Sequence, residues 1–159
     1  MTILIERRLG AAPFWMPVER GWIEPDVPVE IVEAPSPSDV RGHRGLALVD
    51  ALLASTALER SVIVRDFAVT ADQISLLTMV TFDRPDGVER AVVSAPGVSL
   101  TGRALAEIVI PTFYGIEIIG WPEEPVEVGP ESILITEDAA ALLPSTDEAH
   151  YHEDLGRAW

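Results

Sequence analysis

The order of apolar runs and turn residues along the chain predicts an α/β fold. Three strand-like runs open the sequence, at Ile3–Ile5, Val29–Val32 and Leu46–Asp50. Helix signals separate them, the clearest being a proline-initiated segment from Pro13 to Arg20. A β-α-β-α-β order of this kind implies a parallel sheet with right-handed crossovers. The third run is continuously apolar up to its final acid, which is typical of a parallel strand covered on both faces.

The middle of the chain contains two further strand-like runs. Ser61–Val64 is rich in β-branched residues, and Ile74–Phe82 alternates with a period of two, with both faces largely apolar. Asp83–Gly87 is a turn by composition. We therefore expect these strands to connect a first α/β lobe, residues 1–82, to a second α/β lobe, residues 83–159.

The second lobe begins with its own strand, loop and helix. The strand is expected at Ala91–Ser94 and the helix from Ser99 to Ile110, with Pro111 ending it. The apolar stripe of this helix is expected to consist of Leu100, Ala104, Leu105 and Ile108. Later strands at Ile116–Ile119 and Ser132–Ile135 and a short helix at Glu137–Leu143, capped by Thr136, complete the predicted lobe.

The composition excludes several classes of function. The 159 residues include 11 basic and 26 acidic side chains, for a formal net charge of −15. Because affinity for nucleic acid depends on neutralising phosphates, this charge argues against a nucleic-acid partner and an anionic membrane surface. The absence of Cys and Lys excludes a disulfide scaffold, a Cys-ligated zinc and a Schiff-base lysine. No apolar run approaches the roughly 18 residues of a membrane span, and the start is unlike a secretory signal, so we expect a cytoplasmic protein.

The strongest local signal is the turn between the strand and the helix of the second lobe. It contains Gly97, Ser99, Thr101 and Gly102. Backbone N–H groups and two hydroxyls meet here at the positive end of a helix dipole, an arrangement that can hold a carboxylate or phosphate without a basic side chain. The alternative, ordinary capping of the helix by Ser99, stays open.

Two other groups of polar residues are candidate sites. Asp50 ends a predicted buried strand, where open α/β sheets place their ligands, although it could equally cap the helix that follows. His150 and His152 lie among acidic residues and have the composition of a metal cluster. Because that segment is rich in solvated charge, we expect no metal there.

Five segments, taken in order, resemble parts of one enzyme family. They are Arg8–Phe14, Asp66–Val69 continuing through Ser75–Leu77, Ser99–Leu105, Ile133–Ala139 and Asp154–Trp159. Together they span nearly the whole chain. In this order and spacing, the chain resembles the menaquinone-biosynthesis enzymes of the futalosine route, with the chorismate dehydratases as the nearest members.

The resemblance implies a fold, a ligand and a reaction. The fold would be the two-lobed α/β architecture of type II periplasmic-binding proteins. The ligand would be a small carboxylate, and the reaction the dehydration of chorismate to 3-[(1-carboxyvinyl)oxy]benzoate, with no metal or redox cofactor. The resemblance also implies ligand contacts at Gly10, Ser75 and Asp138, in addition to the candidates above. The catalytic base and the oligomeric state are left open.

The chain departs from this family at two points. Family members usually have Asn in the opening turn, where this chain has Gly10, so one polar contact with a substrate is missing. The family also continues beyond the point that corresponds to Trp159, so the completeness of the second lobe is left open. Two alternatives therefore stay open: a non-catalytic small-acid-binding protein of the same fold, and an enzyme acting on a later futalosine-derived intermediate.

Overall fold

The chain folds into two compact α/β units. The computed structural model describes residues 1–64, 76–142 and 150–158. The units are Met1–Thr70 and Ala71–Trp159, and they contain sheets of three and five strands. The sequence predicts the boundary between the lobes after residue 82, whereas the boundary between the units lies after Thr70. The strand Leu77–Thr81 therefore belongs to the second unit rather than the first. Its hydrogen-bonded partners are strands from later in the chain, which places it in the second sheet.

The first unit has the parallel sheet that its sequence pattern predicts. Its strands are β1 (Thr2–Glu6), β2 (Val29–Val32) and β3 (Gly45–Leu48), and its helices are α1 (Ala12–Glu19), α2 (Pro37–Gly42) and α3 (Ala51–Ser55). The order is β2-β1-β3, with both pairings parallel. The expectation that β3 is covered on both faces is wrong, because Leu46 and Ala47, which lie on opposite faces of the strand, are both exposed.

The core of the first unit forms between β1 and α1. Ile5 and Trp15 are buried, and Ala11 packs with them. The indole Nε1 of Trp15 donates to the Arg8 carbonyl oxygen at 2.8 Å, so this buried polar atom is satisfied. The guanidinium of Arg7 lies 4.9 Å from the centre of the indole ring, a cation–π contact that covers the outer face of the tryptophan.

The second unit has a mixed sheet. Its strands are β4 (Leu77–Thr81), β5 (Arg90–Ser94), β6 (Glu117–Gly120), β7 (Ser132–Glu137) and β8 (Tyr151–Asp154), and its helices are α4 (Leu100–Phe113), α5 (Ala139–Leu142) and α6 (Leu155–Ala158). The order is β6-β5-β7-β4-β8. Strands β5, β6 and β7 are parallel, whereas β4 runs antiparallel to both β7 and β8.

Helix α4 covers one face of this sheet, but with a different side from the predicted one. Its buried residues are Gly102, Ala106, Val109 and Ile110, which recur at helical spacing. In the predicted stripe, Leu100 is 43% and Ile108 is 47% exposed. The helix also continues through Pro111 to Phe113. Because proline has no N–H, the Glu107 carbonyl has no helical hydrogen-bond partner at position 111. Both residues are exposed, so this missing hydrogen bond is not buried.

Two other expected elements differ from the structure. Residues 61–64 form no strand, and Val62 is 92% exposed, because β-branched composition alone supplies no sheet partner. Thr136 and Glu137 belong to β7, and α5 begins only at Ala139. No helix in the three described ranges is long and apolar enough to cross a membrane.

Candidate functional site

Each unit contains a point where the strand order reverses. In the first sheet, β1 lies between β2 and β3, and in the second, β5 lies between β6 and β7. In open α/β sheets, ligands bind at the carboxyl ends of the strands at such a reversal. The candidate sites are therefore the carboxyl ends of β1 and β3 in the first unit, and those of β5 and β7 in the second.

In the second unit, a carboxylate is held at the start of α4. Ser99 caps the helix, since its Oγ accepts a hydrogen bond from the Gly102 N–H at 3.0 Å. The Glu137 carboxylate, at the carboxyl end of β7, accepts from the Ser99 N–H at 2.5 Å and from the Ser99 hydroxyl at 2.8 Å. The carboxylate that the turn holds in the structure comes from the chain itself.

The backbone around this carboxylate depends on glycine. Gly97 has a φ of +69°, in the left-handed region that favours glycine. A Cβ on Gly102 would lie 2.9 Å from Val98 Cγ1 and 3.2 Å from Glu137 Oε1. Thr101, by contrast, is exposed on the first turn of α4. The two glycines therefore let the Glu137 carboxylate approach the helix closely.

We expect Gly102→Ala to destabilise the protein by about 1 to 2 kcal/mol, although alanine is the better helix former. Overpacking costs typically ~1–3 kcal/mol, and the gain in helix propensity offsets up to about 1 kcal/mol of it. Gly42→Ala is the matched control, because Gly42 also lies in a helix and its Cβ would meet nothing within 4 Å. Urea denaturation of both variants checks this; a Gly102→Ala protein as stable as Gly42→Ala would contradict the close packing.

Asp138 lies at the same edge, in an unusual backbone conformation. It follows Glu137 and has a φ of 58°. Its N–H donates at 3.0 Å to the carbonyl oxygen of Leu76, which itself has a φ of 56°. Left-handed leucine is uncommon, and such backbone strain persists only where the surroundings impose it. The edge at β7 therefore combines two carboxylates, a helix start and a constrained backbone.

In the first unit, a buried carboxylate occupies the corresponding position. Glu6, at the end of β1, is only 3% exposed. Its Oε1 accepts from Arg8 Nε at 2.9 Å, and its Oε2 accepts from the Asp50 N–H at 2.7 Å. Asp50 caps α3, because its Oδ1 accepts from the Leu53 N–H at 2.9 Å. Of the two roles expected for Asp50, ligand contact or helix cap, the structure shows the helix cap.

The two units use the same device. In each, a glutamate at the carboxyl end of a strand accepts the N–H of a helix-capping residue: Asp50 for Glu6 and Ser99 for Glu137. Each bond links the first and third parallel strands of a sheet across the reversal of strand order. Neither glutamate was a sequence candidate. Such a glutamate could be recognised in the sequence as an acid that directly follows an apolar strand-like run, as in Ile3–Glu6.

The remaining candidates are placed as follows. Gly10 lies in the single-turn 3-10 helix Leu9–Ala11, which Arg7 and Arg8 separate from β1. Ser75 lies outside the described residues. The His150 ring makes an edge contact with Phe82, with ring centres 6.0 Å apart. Across the described ranges, no group of three or more acidic, histidine or cysteine side chains could hold a metal ion.

The chain is thus a mixed α/β protein in which a glutamate accepts a hydrogen bond from a helix-capping residue at the strand reversal of each sheet. No protein-family model matches the chain, and no curated protein matches its sequence. Membership of the menaquinone-biosynthesis enzymes is therefore still a prediction from the sequence segments.

Proposed function

We propose that the chain is a small-carboxylate-binding protein of the menaquinone-biosynthesis kind that dehydrates chorismate. One observation carries the proposal. The candidates that the sequence singled out in the second half, Gly97, Ser99, Thr101, Gly102 and Asp138, all lie at the carboxyl ends of β5 and β7. That edge is where an open α/β sheet binds ligands.

The strand order supports the type II periplasmic-binding-protein-like architecture that we propose with this function. Both sheets place their first parallel strand between the second and the third. Two units that repeat one α/β arrangement are what a two-lobed binding fold requires.

The chemistry of the α4 start suits a ligand carboxylate. Ser99 is engaged by Glu137 and fixes the turn, so it acts as a positioning residue. The ligand carboxylate would contact the exposed Thr101 on the first turn of α4, at the positive end of the dipole of this 14-residue helix. Loss of water from chorismate removes a ring proton and the ring hydroxyl and leaves an aromatic ring. Asp138 is the carboxylate at this edge that we assign to accept the proton.

The experiment compares Thr101→Val with Thr112→Val. Both residues are exposed on α4, at opposite ends of the helix. We expect Thr101→Val to weaken chorismate binding, measured by calorimetry, about tenfold or more, equivalent to about 1.4 kcal/mol. Thr112→Val should bind as the unchanged protein does. Equal affinity of the two variants would contradict the proposed site.

The non-catalytic alternative is favoured by Gly10, which stands in the opening turn where the resembling family has Asn. An absorbance assay of chorismate consumption separates the two functions. Consumption that Asp138→Asn abolishes without loss of binding supports the dehydratase; Asn tolerates the left-handed conformation, so this variant changes the carboxylate alone. Binding without consumption identifies a small-acid-binding protein.

A further inference from the structure

The second unit has an open depression away from the proposed carboxylate site. Its volume is about 420 Å³, and it is lined by Arg84, Pro85, Asp86, Tyr114, Tyr151 and Glu153. These residues follow the end of β4, follow the end of α4 or lie on β8. Since β4 is antiparallel to β7, the end of β4 lies at the opposite edge of the sheet from Glu137. A volume of this size accommodates a small molecule.

The two tyrosines and the glutamate around the depression have no side-chain partner among the described residues. Tyr151 and Glu153 are two residues apart on β8 and so share one face of the sheet. Among the described residues, neither of these side chains nor that of Tyr114 forms a hydrogen bond or ion pair. The carboxylate and the two phenol groups around the depression are therefore available to a ligand.

The charge around the depression is negative. Arg84 is exposed and lies 3.7 Å from Asp86, which offsets its charge. Glu153 has no such counter-charge, and α4 directs its negative end toward Tyr114, its C-terminal capping residue. Burial raises the pKa of Tyr114, and the negative charges of Glu153 and Asp154 raise it further. The depression is therefore suited to a cation.

We propose that this depression binds a small organic cation that carries a primary ammonium group. An ammonium group has three N–H donors and no acceptor, which matches one carboxylate and two phenol oxygens. Two tyrosine rings add a cation–π surface. A bare alkali ion would use the carboxylate but gain less from the aromatic walls, and an anion would be repelled by Glu153.

The probe is n-butylammonium chloride, titrated into the full chain by calorimetry. We expect saturable binding that Glu153→Gln weakens at least tenfold, with a smaller loss in Tyr151→Phe. Glu131→Gln is the matched control, because Glu131 is an exposed glutamate of the same unit that pairs with Arg90 at 3.4 Å. Butyrate, the anion of equal length, should not bind.

Melting temperatures establish that each variant is folded, and Tyr151→Phe provides a second variant if Glu153→Gln is unstable. Absence of saturable binding, equal affinity of Glu153→Gln and Glu131→Gln, or equal binding of butyrate would each overturn the proposal. The depression and the chorismate site lie at opposite edges of the sheet, so Thr101→Val should leave butylammonium binding unchanged.

Discussion

Glu137→Ala is expected to lower the free energy of unfolding by about 2 to 4 kcal/mol, since one hydrogen bond to a charged group contributes ~1.5–3 kcal/mol and two bonds to donors of the same residue are less than additive. The substitution removes the acceptor for both the N–H and the hydroxyl of Ser99, which is only 6% exposed. These donors would then be buried without a partner. Urea denaturation measures the loss.

Glu131→Ala is the control for this prediction. The Glu131 side chain is 66% exposed and its ion pair with Arg90 is 3.4 Å long, so its loss should change stability by less than about 1 kcal/mol. Glu137→Gln, which keeps an acceptor oxygen, should fall between the two alanine variants. Equal stability of Glu137→Ala and Glu131→Ala would show that the contact with Ser99 does not hold the start of α4.

Glu6→Ala is expected to destabilise the first unit by about 3 kcal/mol, because removing one partner of a buried charged pair costs ~3–5 kcal/mol and the Arg8 side chain retains 21% exposure. The variant also leaves the Asp50 N–H without its acceptor. Hydrogen exchange of the first-unit amides would report the loss locally.

Glu33→Ala serves as the control for Glu6→Ala. Its side chain is 80% exposed and pairs with Arg7 at 3.1 Å, so a change of less than about 1 kcal/mol is expected. If Glu6→Ala and Glu33→Ala exchanged their first-unit amides at the same rate, Glu6 would not link β1 to the cap of α3.

Local patterns in the sequence predict much of the fold. The parallel order of the first sheet follows from alternating strand and helix signals, and the Ser99 cap from a hydroxyl residue before an apolar helix. Periodicity failed on α4 because nearly every position from Leu100 to Phe113 is small or apolar, so the sequence leaves the buried face undetermined. The packing of α4 against the sheet then determines which face is buried.

The two glutamates could not be predicted in the same way. The bond from Glu6 to Asp50 joins residues 44 positions apart, and that from Glu137 to Ser99 joins residues 38 apart. Their meeting depends on strand order, which places the third parallel strand of each sheet next to the first. The Ser99 turn is recognisable from the sequence as a candidate anion site, but only the fold shows that Glu137 occupies it and that Glu6 accepts from the Asp50 N–H.

An amide ¹H–¹⁵N spectrum of the protein titrated with chorismate tests most directly whether the edge at the start of α4 binds a small carboxylate. We expect saturable shifts centred on the first turn of α4, at Leu100, Thr101 and Gly102, with a smaller set at Asp138. The amide resonances of β8 should not shift, because β4 separates β8 from β7. Shifts confined to residues away from the α4 start, or no saturable shift at all, would contradict the claim that this edge binds a small carboxylate.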